Sequence, residues 1–167
     1  MLIRTEAPAD ILPVDALLKS AFETEAEASL VMKLRENAKL TLALVACNDE
    51  GEVVGYVMFS PVSLEGEDLG WQGMAPVAVK EEYRNQGIAG DLIKEGLESL
   101  YQFGYSACVV LGDPAFYGRY GFKDSADFGF SCEWEVPEGA FRVAELEPGI
   151  FDGKKGLIQY SEEFAQV

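Results

Sequence analysis

The chain contains no histidine among its 167 residues. That absence excludes Ser-His-Asp and Cys-His nucleophilic catalysis and every metal site that needs an imidazole ligand. Chemistry therefore falls to carboxylates, tyrosine, thiols, lysine, backbone groups or water. Positive charge is also scarce. Lys and Arg number 13 against 29 Asp and Glu, giving a net charge of −16. A surface of that sign repels phosphates, so nucleic acid is not expected as a partner. It suits solubility or salt adaptation, and it can also steer a cationic acceptor. Cysteine is limited to Cys47, Cys108 and Cys132, at scattered positions in apolar, strand-like stretches. They read as buried free thiols. No apolar run is long enough to cross a bilayer, although 49% of the residues are apolar. The amino terminus lacks the charged-then-apolar layout of a secretory signal. The expectation is a cytoplasmic protein of one domain over 1–167, with no membrane partner and no metal.

What is present centres on one stretch. Val77, Ala78 and Val79 end a buried strand that begins near Trp71. The phrase Lys80-Glu81-Glu82-Tyr83 follows, and then Arg84-Asn85-Gln86-Gly87-Ile88-Ala89-Gly90. From Ile88 on, Leu92, Ile93, Leu97, Leu100 and Tyr101 recur at helical spacing. A strand, a small-residue turn and a helix in this order present backbone N–H groups outward. The helix dipole adds partial positive charge at the same place, so the turn is an anion site whose usual ligands are phosphates. It is not a Walker loop, because Asp91 and Leu92 stand where Lys and Ser or Thr belong. The glycine pattern of a dinucleotide fingerprint is also missing. Lys80, Arg84 and Lys94 supply local positive charge on an acidic chain.

The remaining elements alternate. Leu2-Ile3-Arg4 reads as a strand, and two helices follow on either side of an acidic link from Glu23 to Glu27. A hairpin of Leu40–Ala46 and Glu52–Ser60 turns at Asp49-Glu50-Gly51. Pro76 cannot donate to a ladder, so the strand from Trp71 to Val79 carries a bulge or lies at an edge. Ala107 to Leu111 is a compact buried strand. Asp113 and Pro114 then cap a short helix that ends at Gly121. Three further strands are expected at Ser131–Val136, Phe141–Leu146 and Gly156–Tyr160.

Arg84, Gly87 and Ala89 fit Arg/Gln-x-x-Gly-x-Gly/Ala, and Phe116-Tyr117 with Gly121-Phe122 fit a second pattern after the following strand. The two together resemble the hallmarks of the GNAT superfamily of N-acetyltransferases. Gly-Asp-Pro-Ala-Phe-Tyr-x-Arg-Tyr-Gly-Phe and Glu-Leu-Glu-Pro-Gly look like its bacterial YhbS-like branch. The resemblance implies an α/β fold with a mixed, mostly antiparallel central sheet, splayed near its centre and flanked by helices. The segment 131–167 would extend the superfamily core. Acetyl-CoA is the implied co-substrate, and a small-molecule or protein amine is the acceptor. Many members form dimers, so a homodimer is possible.

Acetyl transfer needs a held cofactor, a neutral amine and a stabilised or protonated leaving thiolate. By resemblance, the backbone of Arg84, Asn85, Gln86, Gly87, Ile88, Ala89 and Gly90 holds a pyrophosphate. Val77, Ala78 and Val79 align the pantetheine arm and polarise the thioester carbonyl. Tyr117 matches the proton donor of many GNAT enzymes, with Tyr120 its rival on the same helix and Phe116 packed beside the cofactor or in the core. A phenol with a pKa of about 10 gives a proton to a thiolate without ionising at neutral pH. Glu25 and Glu27 are candidates for the acceptor side, and Trp71 with Gln72 for its lining. Cys108 has no base partner and is not a nucleophile. A non-catalytic acyl-CoA-binding domain and a plain nucleotide-binding domain stay open as alternatives.

Overall fold

The computed structural model describes residues 1–166; Val167, the last residue of the expected domain, lies outside them. The chain opens with β1 (Leu2–Thr5), α1 (Ile11–Ala21) and α2 (Ala26–Glu36). The strands β2 (Leu42–Cys47), β3 (Val53–Leu64) and β4 (Gln72–Val79) follow. After them come α3 (Ile88–Gln102), β5 (Ala107–Leu111), α4 (Pro114–Gly118) and β6 (Lys123–Asp124). The carboxyl-terminal part adds β7 (Phe130–Cys132), β8 (Phe141–Glu145) and β9 (Gly156–Tyr160). All nine strands join one sheet, with β1-β2-β3-β4-β5-β8-β6 as its main path and β7-β9 branching from β3. The pairs are antiparallel except β4 with β5 and β7 with β9.

Strand β3 explains the branch. Its first half pairs with β2 and β4, and its last residues, Val62 to Leu64, pair with β9. The strand runs past the expected end at Ser60 because a partner from the end of the chain lies beside it. The two sheet faces carry separate cores. Tyr56, Met58, Val62 and Trp71 face α1 and α2, with Leu18, Val31 and Leu34 against them. Val57, Phe59, Met74 and Cys108 face α3, with Ile88, Leu92, Ile93 and Leu100 against them. Each of these large side chains contributes about 1.5–3 kcal/mol by leaving water. Tyr101 does not join them. It is 55% exposed, because the apolar stripe of α3 continues through Gly96 and Leu100 instead. The expected strand at Ser131–Val136 is also shorter. Only Phe130–Cys132 pairs, and Glu133 then spends its side chain on the Tyr160 amide at 2.9 Å.

The feature that makes the site is a fork between β4 and β5. Their pairing is limited to Gln72 with Cys108 and Gly73 with Val109. From Met74 on, β4 has β3 on one side and no strand on the other. The β3–β4 register slips between Val57 and Phe59, opposite Ala75 and Pro76. Pro76 therefore marks a bulge against β3 and lies where β4 has become an edge on its other side.

Candidate active site

The fork opens into a cleft of about 660 Å³. One wall is β4, whose Val77 and Val79 side chains point in, while the Ala78 side chain is buried on the opposite face. The floor is the turn into α3, from Arg84 and Asn85 through Gly87 to Gly90. The far wall is α4 and the turn after it, with Phe116, Tyr117, Arg119 and Tyr120.

The turn is shaped by its own residues. Asn85 and Gly87 have φ of 62° and 82°, the left-handed region in which glycine is unstrained. That geometry aims the start of α3 at the cleft. The amides of Ile88, Ala89 and Gly90 are the first of the helix, and no carbonyl among the described residues accepts from them. Arg84 is fixed at the rim. Its Nε donates to the Val79 carbonyl at 3.0 Å and its Nη2 to the Ala21 carbonyl at 3.3 Å. Gln86 turns away from the cleft, and its amide donates to the Glu82 carbonyl at 3.3 Å. Lys80 leans toward Glu82 at 3.7 Å. Lys94 lies 6.0 Å from the Tyr120 ring centre, at the outer limit of a cation–π contact.

Asp113 caps α4 by accepting from the Ala115 amide at 3.0 Å. That cap sets the direction of the helix and so of Tyr117. The Tyr117 ring stands edge-on to Phe116 at 5.0 Å and to Phe122 at 6.0 Å. It also lies so close to Gly112 that a methyl group there would collide with it. Burial, and then the negative charge of Asp113, hold the Tyr117 phenol above its ordinary pKa. Tyr120 lies on the same wall, with its hydroxyl against Gly90. A side chain at Gly90 would collide with that hydroxyl, so the neighbour itself requires a small residue there.

The structure thus brings together Val77, Val79, Arg84, Asn85, Gly87, Ile88, Ala89, Gly90, Phe116 and Tyr117. Ala78 contributes backbone only. Tyr83 and Arg119 also line the cleft and were not among the expected site residues. Their signal was position alone: Tyr83 precedes the turn, and Arg119 lies between Tyr117 and Tyr120 at the end of α4. The acceptor-side residues are placed elsewhere. Trp71 is 1% exposed, enclosed edge-on by Phe130 at 5.4 Å and Phe151 at 5.1 Å, so its side chain faces no cleft. Gln72 is buried too. Glu25 is exposed at the start of α2, and Glu27 lies in the first turn of that helix, 3.5 Å from the Thr24 hydroxyl. Neither lines the cleft. Cys108 is fully buried, which pushes its thiol well above the ordinary range and leaves it without nucleophilic character.

A forked sheet, a bare helix start below it and a tyrosine-bearing helix across from it define an acyl-CoA-type acyltransferase scaffold. Comparison with known proteins agrees. Residues 3–124 match the acetyltransferase (GNAT) domain, and the chain belongs to the GNAT acetyltransferase family. It is 54% identical to the uncharacterized N-acetyltransferase YhbS of Escherichia coli (strain K12), over 98% of both chains. A 1.55 Å crystal structure of E. coli YhbS in complex with CoA superposes with a TM-score of 0.96, covering 98% of this chain and 91% of that one. A GNAT family acetyltransferase from Brucella melitensis, in complex with acetyl-CoA, superposes with a TM-score of 0.82 at 34% identity, covering 98% and 97%.

Proposed function

We propose that the protein transfers an acetyl group from acetyl-CoA to a primary amine by direct attack in a ternary complex. The observation that carries this reading is the alignment of the β4–β5 fork with the bare amides of α3 and with Tyr117. The crystals of two relatives hold CoA or acetyl-CoA, and the cleft offers matching chemistry. The free amides at Ile88 to Gly90 suit a diphosphate, and the unpaired edge of β4 beyond Gly73 suits an extended amide-bearing arm.

Bound acetyl-CoA supplies an activated thioester. The chain does the rest. The turn from Arg84 to Gly90 takes the negative charge. The backbone of Val77 to Val79 orients the arm and offers N–H groups to the carbonyl oxygen. As the amine nitrogen bonds to the carbonyl carbon and the C–S bond breaks, Tyr117 gives its Oη proton to the departing sulfur, and the proton the nitrogen sheds returns through water to the phenolate. Its raised pKa keeps the phenol protonated at neutral pH. Phe116 and Phe122 exclude water around it.

Calorimetric titration with acetyl-CoA, CoA and ATP tests this reading, with Gly87→Glu measured beside the parent. Glutamate there is strained at φ 82° and places a carboxylate in the anion site. Micromolar binding of acetyl-CoA, no binding of ATP and loss of binding in the variant are expected, followed by thiol release with an amine panel. A parent protein that ignores acetyl-CoA sinks the proposal. Binding without thiol release from any amine points to an acyl-CoA-binding domain on the same scaffold.

A further inference from the structure

The closed end of the fork gathers buried polar atoms. Ser60 Oγ, Trp71 Nε1, Gln72 Oε1 and Tyr160 Oη have no hydrogen-bond partner among the described residues. Their residues stand in neighbouring registers. Across β3 and β4, Ser60 pairs with Gly73 and Pro61 with Gln72. Val62, whose amide donates to the Trp71 carbonyl at 3.0 Å, pairs with Tyr160 of β9. Gln72 and Gly73 are also the residues of β4 that pair with β5.

Two of these groups converge. The Tyr160 ring occupies the space that a side chain at Gly73 would fill, with its Cε2 2.7 Å from where a methyl carbon would stand. Ser60 lies directly across from Gly73, and residues paired across a sheet point to one face about 5 Å apart. The Ser60 hydroxyl and the Tyr160 ring are therefore neighbours on the face that carries α1 and α2. Trp134 at 5.3 Å and Phe164 at 5.0 Å hold the ring. Beyond Gly73 the strands part, so the two faces of the sheet meet here. Tyr117 stands on the other face, packed with the α3 cluster. Burial, and then the acidic groups Cys108, Cys132, Tyr117 and Glu133, hold the Tyr160 pKa well above its ordinary value. The Tyr160 hydroxyl thus stays neutral, and Tyr117 is near enough across the fork to act on it.

Buried hydroxyls left unbonded cost stability, and packing alone would be served better by Phe and Ala at these positions. Internal water is the usual partner of such groups, and it answers about two to four of them at once. The free edge of β4 from Met74 to Val79 runs about 17 Å, at ~3.3 Å per residue, between the amides of α3 and this closed end. A ligand whose phosphates sit on those amides and whose arm follows that edge brings its reacting end to this place.

We propose that Tyr160 and Ser60 are positioning residues whose hydroxyls hold the water through which the proton shed by the amine returns to Tyr117. The nitrogen loses one proton to the water, the water passes one to the Tyr117 phenolate, and both hydroxyls end as they began. The role in proton return rests on the acetyltransferase reading; the water site itself does not.

Two measurements test it. A crystal structure of the parent should show an ordered water within about 3.2 Å of both Tyr160 Oη and Ser60 Oγ, and a Tyr160→Phe crystal should lose it. No shared water in the parent overturns the proposal. In turnover with acetyl-CoA and an amine, Tyr160→Phe and Ser60→Ala should each lower kcat about tenfold. The KM for the amine and the calorimetric affinity for acetyl-CoA should stay within about twofold, because neither hydroxyl binds a substrate in this scheme. The solvent deuterium isotope effect on kcat should rise in both variants as proton return becomes the slow step. The double variant should fall no further than the slower single one, since both hydroxyls act through one water. Thermal melts report folding, and both substitutions leave the ring and the backbone in place. Unchanged kcat and isotope effect in both variants make the water structural only and overturn the proposal by itself. A parent that releases no thiol from any amine overturns the acetyltransferase reading and, with it, the proton-return role, whatever the crystal shows.

Discussion

Two tyrosines line the far wall of the cleft, Tyr117 on α4 and Tyr120 in the turn after it, and their neighbours give each a signature. In the proposed reaction Tyr117 acts in its protonated form, and burial and then Asp113 raise its pKa. Activity should therefore persist to a higher pH than an ordinary phenol allows, and fall only as pH rises through the raised value. Asp113→Asn keeps a capping side chain but removes the charge, so the alkaline limb of kcat should move to lower pH. Tyr117→Phe should lower kcat about 100-fold while the affinity for acetyl-CoA changes little. Tyr120 is tested through its neighbour. Gly90→Ala places a methyl group against the Tyr120 hydroxyl, which should weaken acetyl-CoA binding, and adding Tyr120→Phe should restore part of the loss. At this scale the sequence was readable where chemistry is local. Gly87 and Ala89 declare the turn because each bears on its own backbone and its nearest amides. Trp71 was misleading because an aromatic side chain at a strand start looks the same in a cleft wall and in a core. Only the distant Phe130 and Phe151 decide it.

Among elements, the approach to α1 shows how a short polar set fixes the chain. Asp10 accepts from the Ala7 amide at 2.7 Å and from both terminal nitrogens of Arg4, at 2.6 and 2.9 Å. The Arg4 hydrogen bond is the main cause that holds the Asp10 carboxyl below its ordinary pKa. Its contribution is therefore complete above the unfolded value of about 3.9 and is lost as pH falls through the lower folded value. Asp10→Ala should cost about 1–2 kcal/mol near neutral pH, read by urea unfolding, and the gap to the parent should narrow in acid. The helices and the inner strands were legible because their periodicity is their own. The length of β3 was not, nor the shortness of β7, since both are set by β9.

For the molecule as a whole, the carboxyl-terminal strands belong to the structural core. β9 pairs with β3, and Phe151 and Phe164 join the cluster around Trp71 and Tyr160. A chain ended after Leu146 should bare that cluster and lose a cooperative melt, because the lost burial rivals the whole stability of a domain. Calorimetry of the truncated chain checks it. The pairing has a further consequence during synthesis. The Ser161 hydroxyl donates to the Pro61 carbonyl across 100 residues of sequence. Because the ribosome makes the chain from its amino end, β3 leaves the exit tunnel long before its second partner is translated. Until β9 and Phe164 emerge, the Trp71 face is uncovered on the nascent chain, and chaperones that hold apolar segments have their longest access there. A strand made long after β3 is the one that closes the first core begun.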